Sequence, residues 1–379
     1  KPGDSVCITA GSRDVANIAR IIRAICDQVK SVGAHPFIIP AMGSHAGAKA
    51  EGQRGIIEGY GVTEEAMGAP IRASMDTEVI AHSKSGLEIH LDKFANAADF
   101  LIPVGRIKAH TDFRGEVESG ICKMLVIGMG KQHGAYQCHK LGFKSMAANV
   151  KEFAGAIIEK KPNMFAIGLI ENAYHQTCRI EAIPAGRILA EEPPLLEYAK
   201  SRMAKVPFDQ ADILFVDETG KDISGAGMDP NVTGRSAQNG ISRPFAERIV
   251  ARDLTDEAHH NATGMGNADV TTRRLFDKID MEQTYPNSLT SRDINGFRIP
   301  IVMENDDLAI RFALHTITGA NAASGYRAMW IRDTNHVQTF YVTERLLADT
   351  AAMPWLRTDG VALRPVFGAD GYFTGWGRA

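Results

Sequence analysis

Three histidines lie in loops that follow apolar segments, where α/β proteins commonly place functional side chains. They are His45 in the sequence GSHAG, His110 in RIKAH and His133 in QHG. An imidazole can donate or accept a proton near neutral pH and can ligate a metal ion. One such histidine alone is more often a surface or packing residue. Three of them after predicted strands of one domain favour a shared functional cleft.

A lysine in an apolar segment is the next candidate. Lys123 lies in the sequence SGICKMLVIG, where burial of its ammonium would cost free energy, so the side chain either pairs, loses its charge or is used covalently. The alternative is a lysine that extends to solvent from the edge of a helix or strand. Arg13, in the turn after the first apolar segment, is placed to bind a carboxylate or phosphate at a helix N-terminus, or is simply exposed.

The segments that must position these residues alternate between strand and helix patterns. Residues 6–9 form a short apolar run, and apolar residues at helical spacing follow over 15–29, before Gly33 ends the helix. A second apolar run at 37–39 precedes the GSH loop, and residues 51–60 indicate another helix. This order predicts an α/β fold with mainly parallel sheets and functional loops at the carboxyl ends of the strands. Further strands are predicted at 87–91, 100–104, 165–170 and 180–183.

The length of 379 residues favours two domains. The sequence EEPP at 191–194 and the polar stretch after it suggest the end of the first domain, and a strand pattern restarts at 213–216. We therefore predict two α/β domains at 1–205 and 206–379, with an interdomain active-site cleft. Later elements of the second domain are predicted strands at 298–303, 328–332 and 338–342 and a helix at 307–315.

Composition excludes several classes of protein. The chain has 42 basic and 45 acidic residues, so no charge excess favours nucleic acid as a partner. Five cysteines without a CxxC pair indicate neither a disulfide framework nor a cysteine zinc site, and fit a reducing cytoplasm. No apolar run reaches the roughly 18 residues of a membrane-spanning helix. The chain starts at Lys1, which leaves a preceding segment open.

In combination, these motifs resemble those of the nickel-pincer lactate racemase family, two-domain enzymes that isomerise 2-hydroxy acids. The G-[ST]-H loop of that family is similar to Gly43–His45. Its second histidine and its S-G-x-x-K segment are similar to His110 and Ser119–Lys123. Its nickel ligand, a histidine followed by glycine, is similar to His133.

The resemblance implies a role for each of these residues. His45 and His110 would be the catalytic acids and bases on the two faces of the substrate. Lys123 would tether a pyridinium-derived mononucleotide that carries nickel in a pincer, and His133 would bind the nickel. Such a cofactor removes the hydrogen of the substrate as hydride, which avoids the carbanion that a neighbouring carboxylate destabilises.

The resemblance also implies binding residues. Arg13 and Ser12, in the first strand-to-helix turn, would bind the cofactor, and Arg13 would also orient an anionic group of the substrate. Lys221 and Asn231 of the second domain would close over the substrate, although a helix-capping or turn role suits both residues equally well. Enzymes that synthesise the cofactor are the implied protein partners.

The chain departs from the family pattern at several positions, so the resemblance implies a divergent member. Ala10 replaces an aspartate, and Ala46-Gly47 replaces Arg-Pro after the GSH loop. Residues 225–231 read GAGMDPN where the lactate enzymes place a glutamine and a lysine over the substrate. The resemblance therefore implies a 2-hydroxy acid racemase or epimerase without specifying the acid.

Two other functions fit the same residues. In the first, His45, His110 and His133 bind zinc or another metal directly in a hydrolase or lyase, because three histidines leave a catalytic zinc one open position. In the second, the chain binds a small molecule without catalysis, because two α/β domains around a cleft also form ligand-binding proteins.

Overall fold

The computed structural model describes residues 1–12, 15–236, 240–241 and 245–379. The chain divides into two compact units. The first comprises Lys1–Met203 and Thr290–Arg292, and the second comprises Ala204–Leu289 and Asp293–Ala379. Among the described residues, no helix is both long and apolar enough to span a bilayer.

The strands of the first unit belong to small sheets and are listed here in chain order: β1 (Ser5–Ala10), β2 (His35–Pro40), β3 (Thr77–His82), β4 (Glu88–Asp92), β5 (Phe100–Ile102), β6 (Val104–Arg106), β7 (Phe165–Glu171) and β8 (Thr177–Pro184). One sheet has the order β2-β1-β5, and both of its pairings are parallel. Another has the order β6-β7-β8, in which β6 and β7 are parallel and β8 is antiparallel. Strands β3 and β4 form an antiparallel pair.

The helices of the first unit are α1 (Ile18–Ser31), α2 (Ala50–Gly59), α3 (Glu64–Met67), α4 (Lys93–Ala97), α5 (Ile121–Lys123), α6 (Lys131–His139), α7 (Met146–Lys160) and α8 (Ile188–Arg202). Helix α1 is amphipathic, because Ile18, Ile22, Cys26 and Val29 recur on one buried face. The chain leaves α1 through Gly33, whose φ of 78° suits glycine. The predicted strand, helix, strand order at the start of the chain is therefore confirmed.

Pro103 divides the strand that the sequence predicts at 100–104. Residues Phe100–Ile102 pair with β1, whereas Val104–Arg106 pair with β7 in a different sheet. Proline has no backbone N–H to donate to a neighbouring strand, so a sheet is interrupted where it occurs.

The segment before His133 is helical, and the expectation that His133 directly follows a strand is wrong. Residues Met124–Gly128 form a π-helical turn, and α6 begins at Lys131. An apolar run of this length is compatible with either a strand or a buried helix. The glycines allow close packing here, because a Cβ atom on Gly130 would lie 2.1 Å from the carbonyl oxygen of Val126.

The sequence EEPP, interpreted as the end of a domain, lies inside helix α8. Two consecutive prolines normally interrupt a helix. Here the helix continues because Leu195, Leu196 and Ala199 are buried after the prolines, and Glu192 is buried as well.

The second unit is built on a sheet in which parallel pairing predominates. Its strands and helices are β9 (Gln210–Thr219), α9 (Pro230–Thr233), β10 (Arg235–Ser236), β11 (Gly240–Ile241), β12 (Phe245–Leu254), β13 (Val270–Thr272), α10 (Arg273–Asp277), α11 (Met281–Ser291), β14 (Ile301–Met303), α12 (Asp306–His315), β15 (Ala328–Ile331), β16 (Tyr341–Val342), α13 (Glu344–Leu347), β17 (Leu363–Phe367) and β18 (Phe373–Arg378).

The main sheet of the second unit has the order β14-β13-β12-β9-β15-β16. All of its pairings are parallel except that of β15 with β16. Two strands are shorter than the sequence predicts. The strand predicted at 298–303 is β14, which begins at Ile301, and the strand predicted at 338–342 is β16, which comprises only Tyr341–Val342. The predicted fold class, α/β with mainly parallel sheets, is confirmed.

Candidate functional site

Two loops of the first unit meet at the helical segment that follows Lys123. A Cβ atom on Gly11, in the turn after β1, would lie 3.2 Å from Met124 Cε. A Cβ atom on Gly43, in the loop after β2, would lie 3.1 Å from Ile127 Cγ2, and the Gly43 N–H donates to the carbonyl of Gly128. The loops at the carboxyl ends of β1 and β2 thus contact the Lys123 segment, at the edge of a parallel sheet where α/β proteins bind ligands.

Lys123 and His110 form a direct side-chain pair. Lys123 Nζ lies 2.8 Å from His110 Nε2. The other ring nitrogen, Nδ1, accepts a hydrogen bond of 2.9 Å from the backbone N–H of Asp112. The Asp112 contact holds Nδ1 of the ring, and Nε2 is the nitrogen that faces Lys123.

The ring and backbone of His110 are both held in place. Phe113 stacks on the imidazole, with 4.1 Å between ring centroids and an interplanar angle of 28°. The fully buried carboxylate of Glu118 accepts a 2.7 Å hydrogen bond from the His110 backbone N–H. Lys200, on α8, lies 3.0 Å from the second oxygen of Glu118. The charge of Glu118 is therefore partnered on both oxygens.

Glu192 fixes the start of the helix that carries Lys123. Its Oε2 accepts a 2.8 Å hydrogen bond from the Cys122 N–H, so it occupies the place of a helix N-cap. Glycine is required at position 120, because a Cβ atom there would lie 2.1 Å from Glu192 Oε1. Burial raises the pKa of Glu192, and the hydrogen bonds from Cys122 oppose this shift.

His45 is oriented by Ser12. The two side chains are joined by a hydrogen bond of 2.7 Å between Ser12 Oγ and His45 Nδ1. Buried Gln53, on α2, donates from Nε2 to the carbonyls of Gly43 at 2.8 Å and His45 at 3.2 Å. The contact with Ser12 holds Nδ1 of the His45 ring, while Gln53 holds the backbone on either side of it.

His133 is exposed on α6 and belongs to neither of these pairs. Within the described part of the chain, its ring stacks on His90, with 5.8 Å between centroids and an interplanar angle of 23°. His90 Nε2 in turn lies 3.0 Å from Glu88 Oε2. The role of His133 as a nickel ligand stays a prediction.

His139, the last residue of α6, is not among the site residues predicted from the sequence. Its Nδ1 lies 2.7 Å from the carbonyl oxygen of Ala135, an arrangement that places the ring proton on Nδ1 and the lone pair on Nε2. Burial lowers the pKa of His139 to about 4, and Lys123 lies within electrostatic range of the ring. A neutral imidazole whose N–H is bonded to a backbone carbonyl is the usual state of a metal-ligating histidine.

The sequence analysis also missed Lys131, which is fully buried at the start of α6. Its ammonium donates to the carbonyl of Pro40 and lies 3.2 Å from Asp92 Oδ2. Burial lowers the pKa of Lys131, and the charge of Asp92 opposes this shift. Lys131 thus ties α6 to the end of β2, the strand that leads into the His45 loop.

The predicted substrate residues of the second unit take part in local contacts. Lys221 Nζ donates to the side-chain oxygen of Asn287. The N–H and the side-chain amide of Asn231 both donate to Asp229 Oδ1, at 2.9 and 2.7 Å. Asp229 is the N-cap of α9, so Asn231 belongs to a helix-capping turn. Arg13 lies outside the described residues.

Among the described residues, no group of three or more His, Cys, Asp and Glu side chains is arranged to hold a metal ion. The histidines at 45, 110 and 133 therefore do not form such a group. Burial also raises the pKa of the Cys122 thiol, and that of the Cys138 thiol to about 12. Both thiols are therefore protonated near neutral pH in the metal-free chain.

Comparisons with known proteins give a distant structural likeness. No protein-family model and no curated protein matches the chain. The chain is similar to the lactate racemase apoprotein from Thermoanaerobacterium thermosaccharolyticum, at 16% identity and a TM-score of 0.45 over 76% of this chain and 72% of that one. It is also similar to a structural-genomics protein from Thermotoga maritima, at 11% identity and a TM-score of 0.45 over 67% and 68% of the two chains. A likeness at this level carries no argument about function.

Proposed function

We propose that this protein is an isomerase that racemises or epimerises a 2-hydroxy acid, with a nickel-pincer pyridinium mononucleotide tethered to Lys123. The observation that carries the proposal is the 2.8 Å contact between Lys123 Nζ and His110 Nε2. This contact brings the candidate tether and a candidate acid/base together at one place. The Ser12–His45 pair supplies a second oriented imidazole in a loop that contacts the same helical segment.

The residues of the first unit fit such a cofactor. An amide-type bond requires Lys123 as the free amine, which its apolar neighbours Ile121 and Cys122 favour. The nickel also needs an imidazole ligand, for which His133 is the sequence prediction and the partly buried His139 is a second candidate. Because Cys122 and Cys138 are buried and belong to no group of metal-ligating side chains among the described residues, the sulfur ligands would come with the cofactor. When bound, the cofactor supplies an electron-poor ring that accepts hydride.

The chain itself would move the proton of the substrate hydroxyl. His45 Nε2 would take this proton from one enantiomer and return it, while Ser12 holds the opposite ring nitrogen. His110 would do the same for the other enantiomer, with Phe113 and Glu118 fixing its ring and backbone. A positioned acid or base of this kind contributes about 10²- to 10⁴-fold to the rate. Arg13, Lys221 and Asn231 are proposed to bind the carboxylate side of the substrate.

Co-expression with cofactor-synthesising enzymes tests the proposal. We expect the intact mass of the wild-type chain to include an organic adduct that peptide mapping places on Lys123, with bound nickel. Chiral chromatography on a panel of 2-hydroxy acids should then detect interconversion of the enantiomers of at least one acid. Lys123→Ala should carry no adduct, whereas the exposed control Lys49→Ala should match the wild type.

The same experiment separates the alternatives. Stoichiometric zinc without an adduct would favour a metal-dependent hydrolase or lyase. A chain that binds an acid of the panel but carries no adduct and isomerises none of the acids would favour a binding protein. Either result would overturn the proposed function.

A further inference from the structure

A histidine and an aspartate form a close pair in the second unit. Nδ1 of His336 lies 2.8 Å from Oδ2 and 3.0 Å from Oδ1 of Asp333. Because an ionised carboxylate only accepts hydrogen bonds, this contact places a proton on Nδ1. The side chain of His336 is 49% exposed, whereas that of Asp333 is 3% exposed. Within the described part of the chain, the ring makes its polar contacts through Nδ1, so Nε2 is the nitrogen that can meet a ligand.

Asp333 is held in a fixed position beneath the ring. Its Oδ1 also accepts the backbone N–H groups of Asn335 at 2.7 Å and of His336 at 3.0 Å. Nε of the exposed Arg332 lies 3.6 Å from Oδ2. A buried carboxylate with these partners fixes the orientation of the imidazole that it contacts. The pair therefore presents one oriented ring nitrogen to solvent.

The pair lies in the loop after β15, at the carboxyl edge of the main parallel sheet. Strand β15 is parallel to β9, so the loops after both strands leave the sheet at the same edge. The Asp229 N–H donates to Thr334 Oγ1 at 2.9 Å, and Asn335 Nδ2 donates to the carbonyl of Ile223 at 3.2 Å. The loop that carries His336 is thus joined to the segment between β9 and α9. Open α/β sheets bind their ligands at this edge.

We infer that His336 Nε2 binds a hydroxyl group of the substrate other than the one on its second carbon, so that the substrate is a 2-hydroxy acid with at least one further hydroxyl. The inference rests on the proposed function, in which Lys221 and Asn231 of the adjoining segment bind the carboxylate side of the substrate. His45 and His110 act on the hydroxyl of the second carbon in that mechanism. A neutral imidazole protonated on Nδ1 accepts a hydrogen bond at Nε2, and a further hydroxyl is the matching donor.

Lactate and glycerate test the inference, because glycerate is lactate with one hydroxyl added at the third carbon. Diethyl pyrocarbonate acylates an unprotonated imidazole nitrogen and releases ethanol and carbon dioxide. Peptide mapping of the full-length chain then measures the label on each histidine. We expect DL-glycerate to protect His336 at a concentration about 3- to 10-fold lower than DL-lactate, which corresponds to one hydrogen bond. Exposed His315, at the end of α12, is the internal control and should label equally with either acid. Equal protection of His336 by the two acids would overturn the inference.

His336→Phe is the informative variant, because it keeps a ring at this exposed position and removes the acceptor. Isothermal titration calorimetry measures the Kd of both acids. We expect the wild type to bind DL-glycerate about 3- to 10-fold more tightly than DL-lactate, and His336→Phe to bind the two acids equally. His315→Phe is the matched control and should keep the preference of the wild type. Circular dichroism checks that both variants fold.

Two calorimetric results would overturn the inference. One is a preference for glycerate that persists in folded His336→Phe. The other is a wild type that binds glycerate no more tightly than lactate.

These outcomes are distinguishable from failure of the proposed function. A chain that carries the adduct and isomerises 2-hydroxy acids, but binds glycerate and lactate equally, keeps the racemase proposal and loses the role of His336. A chain that prefers glycerate through His336, but carries no adduct and isomerises no acid, keeps the hydroxyl-binding role and loses the racemase proposal.

Discussion

Two lysines eight residues apart in the first unit have opposite environments. Lys131 is completely buried and is paired with a carbonyl and with the carboxylate of Asp92. Lys123 is partly exposed and faces the imidazole of His110. A buried ammonium beside a carboxylate joins elements of the fold and offers no access to a reactant. Lys123 beside an imidazole keeps its access to solvent, so the surroundings of the two lysines decide which of them can react with a cofactor.

Exchange of each lysine for methionine tests this contrast most strongly. Lys123→Met should abolish the covalent adduct while changing the free energy of unfolding by only about 1 kcal/mol. Lys131→Met should keep the acceptor amine at position 123 but cost about 3–5 kcal/mol, because Asp92 is left buried without its partner. Intact mass and urea unfolding measure the two effects. Similar losses of stability in the two variants would show that Lys123 and Lys131 do not differ in their contribution to the fold.

Enzyme kinetics test whether His110 and His45 act as acids and bases. His110→Phe and His45→Phe should each retain the adduct on Lys123 and lower kcat by about 10²- to 10⁴-fold. If the two rings serve opposite faces of the substrate, His110→Phe should lower kcat more for one enantiomer, and His45→Phe should lower it more for the other. Initial rates from each pure enantiomer measure this. Unchanged rates in either variant would remove that histidine from the proposed mechanism.

Glu192 tests whether the helix start positions Lys123. Glu192→Leu should lower the free energy of unfolding by about 1–2 kcal/mol, because the Cys122 N–H loses its acceptor in a buried site. It should also lower the yield of the adduct on Lys123 after co-expression with the cofactor-synthesising enzymes. Glu192→Gln keeps a carbonyl acceptor and should restore much of both properties. Partly exposed Glu191→Gln is the control from the same helix. Equal adduct yields in the Leu and Gln variants would show that the cap does not position the lysine.

The smallest expected effect concerns His139 and pH. Burial lowers its pKa to about 4, whereas the unfolded chain takes up the proton near the ordinary histidine value of about 6.5. The unfolded state therefore binds more protons between these values, and stability falls as the pH drops through that interval. His139→Gln should remove this part of the pH dependence, and exposed His35→Gln should not. Urea unfolding from pH 7 to pH 4.5 measures the difference, and an unchanged slope in His139→Gln would contradict the burial of this ring.

Continuous apolar runs made much of the fold predictable. The strands at Ser5–Ala10, Phe165–Glu171 and Gln210–Thr219 each contain a continuous apolar run, and α1 shows clear helical spacing. Strand β3 was not predictable in this way, because its residues are largely exposed. The two prolines of α8 predicted the end of an element at that point. The helix continues through them because the residues that follow are buried against the rest of the unit.

The candidate site was predictable only where its parts lie close in sequence. His110 and Lys123 belong to one segment, so a motif could join them. Glu192 caps a helix from 70 residues away, and Lys131 bonds a carbonyl 91 residues away. No local spacing identifies such partners. His139 could be interpreted only once residues Lys131–His139 were known to form a helix, because its ring bonds to the carbonyl one turn earlier.

Nitrogen NMR of the cofactor-free chain tests the central claim most directly. Spectra of ¹⁵N-labelled lysine and histidine side chains near pH 7, assigned with Lys123→Arg and His110→Phe, report the protonation of both groups. We expect an uncharged amine at Lys123, because only the free amine can form the amide-type bond to the cofactor. An ammonium at Lys123 would contradict this expectation.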